Sequence, residues 1–151
     1  MTIKQYPQDR LASQPIGYWT GVANEIIVGS IRAALGEEDL TQPHWWILNH
    51  VAGAPGQWTR AGLTAKLSTF DTQGLDFDAV HADLTARGWT AEADGGLTLT
   101  EAGEAGRRRA AARARKVHER MHNGIDTTEY VAALDVLRRM IANLGGDSDL
   151  P

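Results

Sequence analysis

His118 and His122 are four residues apart, so a helix would carry both imidazoles on one face, the spacing at which two histidines can share a metal ion. No third ligand is evident, although Glu119 and Asp126 lie near, so a solvated pair is expected and no metal is assigned. A second constellation is aromatic. Five tryptophans are unusual for 151 residues, and Trp19 and Trp46, with His44, His50 and the cation Arg32, have the chemistry of a pocket for a small, partly anionic ligand. Trp45 reads as core, and its neighbour Trp46 must then face elsewhere. A third group is basic: Arg107, Arg108, Arg109, Arg113, Arg115 and Lys116 could flank nucleic acid or hold an anion, while a solvated helix face is the commoner use of such a run. No nucleophile elbow, Walker loop or GxGxxG occurs, so neither an enzyme nor a cofactor is expected.

The elements that must hold these side chains follow from caps, breakers and apolar spacing. Ser13 as cap and Pro15 in the first turn predict a helix carrying Ile16, Trp19, Ala23 and Ile26 and stopping at Gly36. Thr41 and Pro43 open a second helix with Trp45, Leu48 and Ala52 on one face, broken by Gly53, Pro55 and Gly56. Thr59 caps a short third helix with Leu63 and Leu67. A loop at residues 71–74 leads to a fourth, with Phe77, Val80 and Leu84 inward and Gly88 at its end. Trp89, Ala91, Leu97 and Leu99 alternate about Asp94-Gly95-Gly96, the signal of a short hairpin. Thr100 caps a long Ala- and Arg-rich helix running to Asn123-Gly124, about 22 residues and roughly 33 Å. Asp126 or Thr127, with Glu129, starts the last helix, whose Tyr130, Leu134, Leu137, Ile141 and Leu144 recur at alternating four and three.

Composition bounds the class. Hydrophobic residues make up 42% and charged residues 23%, ordinary for a globular chain. With no cysteine there is no disulfide framework. Neither a membrane span nor a signal peptide is evident, so a cytoplasmic protein with no membrane partner is expected. The net charge is −4. Residues 59–100 are acid-rich, whereas residues 107–120 are strongly basic.

Three short helices followed by a hairpin are the outline of a winged helix, a module that lays one helix in the DNA major groove. The expected fold class is mainly α with a small β-hairpin wing. The divisions are residues 1–38 for an N-terminal dimerisation helix, 39–100 for the winged helix-turn-helix, 101–145 for C-terminal dimerisation helices, and 146–151 for a flexible tail. The apolar seam of the last helix and the thin apolar content of the helix before it imply a second subunit, or an internal helical hairpin. Dimerisation is assigned to Ile16, Tyr130, Leu134, Leu137, Ile141 and Leu144.

This order resembles the multiple-antibiotic-resistance regulator (MarR) family of bacterial repressors over nearly the whole chain. The resemblance is carried by Leu40-Thr41-Gln42 with Trp45 and Leu48, by Leu84 with Arg87-Gly88, and by Leu99-Thr100-Glu101-Ala102-Gly103. It implies a homodimer on a palindromic double-stranded operator, responsive to a small-molecule effector between the dimer region and the DNA-binding lobe. DNA contacts are then expected from Thr59, Arg60 and Lys66 on the third helix, from Asp76, Asp78, His81 and Arg87 on the fourth, and from Gly95 and Gly96 at the wing tip. The effector site falls to Trp19, Arg32, His44, Trp46 and His50. Two departures stand out. The recognition helix is acidic where the family carries Ser, Thr and Arg, and the short wing reads AEADGG without the family's arginine. They leave open an alternative: a dimeric winged-helix module that has lost DNA readout and senses a small molecule or engages a protein.

Overall fold

Side-chain caps and one tight turn decide where the elements begin in the computed structural model, which describes residues 2–151. Thr59 Oγ1 accepts the Gly62 N–H at 3.0 Å and opens α4 (Arg60–Leu67). Asp76 accepts the Asp78 and Ala79 N–H groups at 3.0 and 3.3 Å and opens α5 (Phe77–Ala86). Asp126 and Glu129 form a reciprocal box, 3.0 and 3.1 Å, at the start of α7 (Thr127–Asn143). Asp94 and Gly95 have φ of 55° and 78°, the two left-handed residues a type I′ turn requires. They join β1 (Thr90–Ala93) to β2 (Gly96–Leu99) in an antiparallel pair that runs from Thr90 opposite Leu99 to Ala93 opposite Gly96.

The N-terminus departs from expectation. Gln8–Ala12 forms a short helix, α1, and Ser13 ends it by donating its hydroxyl to the Arg10 carbonyl at 2.9 Å. Pro15, not Ser13, therefore stands at the N-cap of α2 (Ile16–Gly36). The extra helix makes α3 (Gln42–Gly53) the second predicted helix and α5 the fourth. The segment after α3 is also more than a breaker. Gly56 donates to the Leu97 carbonyl and Leu97 donates to the Trp58 carbonyl, both at 2.8 Å, so residues 56–58 line the free edge of β2 as a third strand would.

The core of the lobe gathers Ile47, Leu48 and Val51 of α3, Leu63 and Leu67 of α4, Phe77, Val80 and Leu84 of α5, and Leu97 of β2. Each such side chain contributes about 1.5–3 kcal/mol on leaving water. Leu35 near the end of α2, Leu40 just before α3 and Ala110 of α6 (Glu101–His122) complete the cluster. The low apolar content of α6 has a steric reason. Its buried stripe is Gly103, Gly106, Ala110, Ala114 and Val117. A Cβ at Gly103 would collide with the Trp89 backbone carbonyl, and one at Gly106 with the Trp89 indole. The helix packs by close approach around one large ring.

The chain divides into two compact units, Met1–Val117 and His118–Pro151. In the second unit, no α7 residue is buried. Tyr130, Val131, Leu134, Val136, Met140 and Ile141 stay exposed, and Leu137 is half-buried. In the first unit, α2 exposes Ile16, Tyr18, Trp19, Val22, Ile26 and Ile27. No helix among the described residues is long and apolar enough to cross a membrane.

Candidate nucleic-acid interface

α5 is held in its lobe by polar groups from three other elements. His44, in the first turn of α3, is only 7% exposed. Its Nδ1 lies 3.2 Å from the Thr41 backbone N–H and 2.7 Å from the Thr41 hydroxyl, and its Nε2 lies 2.9 Å from Asp83 Oδ2. The backbone N–H can only donate, so Nδ1 is the acceptor and the proton sits on Nε2, directed at Asp83. Asp83 also accepts from Arg87 Nε at 2.8 Å, and Arg87 reaches on to the Asp39 carbonyl at 2.8 Å. On the other flank His81, 2% exposed, meets the Thr64 hydroxyl of α4 at 3.2 Å. Arg60 donates to the Thr85 hydroxyl at 2.6 Å and pairs with Glu92 of the wing at 3.0 Å.

These contacts redistribute the residues expected at DNA. His81 is inside the lobe, away from the exposed face of α5. Thr59 and Asp76 cap helices, and Arg60 and Arg87 have partners within the lobe. Gly96 is buried in β2, where a Cβ would strike the Gly56 carbonyl, so the wing tip is Asp94-Gly95. Lys66, Asp78 and Gly95 remain exposed. Two of the three acidic residues at α5 are therefore committed to contacts within the lobe. Asp76 stabilises the helix N-terminus, Asp83 bridges His44 and Arg87, and Asp78 alone projects from the face.

The five residues expected at an effector do not form one pocket. His44 is buried under Asp83. His50 donates from Nδ1 to the Trp46 carbonyl at 2.8 Å and meets Trp58 edge to face. Trp19 is exposed and instead lines, with Tyr6, Arg10, Leu11 and Gln14, a cavity of about 170 Å³. Arg32 and Trp46 do share a neighbour. Arg32 donates to Gln42 Oε1 at 2.8 Å and to the Thr72 hydroxyl at 3.4 Å, while Trp46 packs edge to face on Phe70. Both therefore touch the segment that enters α5.

The arginine run proves structural over much of its length. Arg113 and Arg109 converge on Glu38, at 2.6 and 3.1 Å, and hold its carboxyl below the usual range; Arg113 also pairs with Glu37. Arg107 and then Arg108 hold Glu104 down to about 2. Residues 118–122, His-Glu-Arg-Met-His, do spell the HExxH pattern of zinc proteases. No cluster of three or more potential ligands exists among the described residues; His118 is exposed, and His122 is half-buried with its ring 4.6 Å from that of Tyr130. The pattern therefore lacks the site it would need.

Burial is the main reason that His44 and His81 lie below the ordinary histidine pKa. Asp83 opposes the shift at His44, and Arg60 adds to it at His81. Groups depressed in this way take up protons more readily when unfolded. Their contribution to stability is thus complete above about pH 6.5 and is lost as pH falls from there toward the native values. The urea midpoint is expected to drop between pH 7.5 and pH 5.5, and to drop less in His81→Asn. An equal or higher midpoint at pH 5.5 contradicts the buried neutral pair.

No family model matches the chain, and no curated protein matches it. Solved structures do. The Mycobacterium tuberculosis MarR family protein Rv2887, in complex with DNA, is 25% identical, covering 89% of this chain and 100% of its own, with a TM-score of 0.64. The PcaV transcriptional regulator from Streptomyces coelicolor is 20% identical, covering 87% and 98%, with a TM-score of 0.68. CouR from Rhodococcus jostii RHA1, bound to p-coumaroyl-CoA, is 23% identical, covering 85% and 92%, with a TM-score of 0.63. This chain has the winged-helix fold of the MarR family of transcriptional regulators.

Proposed function

We propose that this protein is a MarR-family transcriptional regulator of a bacterial cytoplasm, binding a twofold DNA operator as a homodimer and answering to a small molecule. The observation that carries the reading is the braced α5, whose outer face has only small or short side chains while its polar residues fasten it to α3, α4 and the wing. That is a rigid element offered to a groove. Rv2887 has been solved with DNA and CouR with p-coumaroyl-CoA, which supports carrying both properties to this chain.

The second subunit is proposed from the apolar side chains that α2 and α7 each leave in water, more than an isolated soluble subunit usually exposes in one stretch. Two recognition helices related by a twofold axis would meet half-sites about 34 Å apart. The effector is placed beside Arg32 and Trp46. A planar anion there would compete for the Arg32 guanidinium, now shared between Gln42 and Thr72, and so move the chain that leads into α5.

Retardation of DNA from upstream of the protein's own gene, at 50 and 200 mM salt, tests the reading. Nanomolar binding that weakens steeply with salt is expected. Failure to retard that fragment or any member of a random library at low salt would leave a binding module without DNA readout.

A further inference from the structure

The outer face of α5 is chemically sparse. Asp78, Ala79, Ala82, Thr85 and Ala86 are exposed, and at 100° per residue they form one continuous strip opposite Phe77, Val80, His81 and Leu84. Thr85 is occupied by Arg60. Among the described residues the Asp78 carboxylate has no hydrogen-bond or ion-pair partner, whereas Asp76 and Asp83 on the same element have theirs.

Resting on the DNA-binding reading above, we infer that Asp78 is a specificity-determining residue that selects cytosine in each operator half-site, with the neighbouring alanines fitting thymine methyl groups. The chemistry is restrictive. A carboxylate in the major groove can only accept, and cytosine N4 is a donor that guanine and thymine do not present there. Adenine N6 also donates, but its adjacent N7 acceptor would face the carboxylate, which cannot satisfy it. The alanine methyls of Ala79, Ala82 and Ala86 add apolar contact of the kind thymine C5-methyl groups accept. The same negative charge is repelled by phosphates wherever no cytosine is in register, so one side chain both rewards the right site and penalises wrong ones.

Selection from a random duplex library with the full-length protein tests this, using wild type, Asp78→Ala and Asp78→Asn. Wild type is expected to recover sites with cytosine at one symmetric position in each half. Asp78→Ala should lose that preference and bind the selected site about tenfold more weakly. The same variant should bind unrelated DNA a few-fold more tightly, which mere loss of structure cannot produce. Asp78→Asn, nearly the same shape, should shift the preference at that position toward adenine. Wild-type and variant selections with the same base at that position would overturn the inference while leaving DNA binding intact. Recovery of no sequence by wild type would overturn both. Matching far-ultraviolet circular dichroism of the three proteins checks that α5 persists.

Discussion

Replacing Leu134 and Ile141 together by aspartate is expected to yield a folded single subunit that binds operator DNA roughly a hundredfold or more weakly than wild type. Both side chains are 44% exposed in one chain, on the seam of α7 that also carries Tyr130 and the half-buried Leu137. Carboxylates at such positions cost a monomer little. In a dimer that buries this seam they would be stripped of water, at a cost that nearby side chains on α7 would not fully offset. The affinity loss follows from linkage of two readers: when one subunit is bound, the other sees its half-site at high effective concentration, an advantage of about 10²–10⁴. Sedimentation and DNA titration of the same samples measure both effects. A persistent dimer, or a monomer with unchanged affinity, contradicts the proposed assembly.

The largest effect on folding is expected at the contact between α6 and the start of the wing. Trp89 enters a slot made by Gly103 and Gly106. The Thr100 N–H donates to its carbonyl at 3.0 Å, and the guanidinium groups of Arg87 and Arg109 lie 5.3 and 5.8 Å from its ring centre. Trp89→Ala removes the ring that fills this slot and should destabilise the protein by about 3–5 kcal/mol. Gly103→Ala approaches backbone, which cannot rotate away as a side chain could, and should cost about 1–3 kcal/mol or more. Urea denaturation followed by circular dichroism gives both values. A Gly103→Ala protein as stable as wild type would show that α6 does not press on Trp89.

Much of this architecture was legible because its determinants are local. Thr59, the Asp126–Glu129 box and the Asp94-Gly95 turn act within four residues, so spacing alone predicts them. The apolar faces of α4 and α5 were equally plain, since Leu63, Leu67, Phe77, Val80 and Leu84 repeat at helical period and are all buried. What could not be read lies in pairings remote in sequence. His44 meets Asp83 across 39 residues and Glu38 meets Arg113 across 75. No periodicity announces such partners. That is why the partners of His81, Arg60 and Arg87 within the lobe were not foreseen. Gly56–Trp58 read as a breaker because its strand-like hydrogen bonds depend on β2, formed about 40 residues later. The aromatic set is divided for a related reason: Trp19 and Trp46 fall on different helices, whose mutual placement is a tertiary property.

Hydroxyl-radical footprinting of the selected operator tests most directly whether this fold reads DNA through paired α5 helices. Two protected patches related by a dyad and centred about one helical turn apart are predicted, each erased by the Leu134→Asp/Ile141→Asp protein at concentrations that saturate wild type. A single asymmetric patch, or uniform protection with no sequence register, would contradict it.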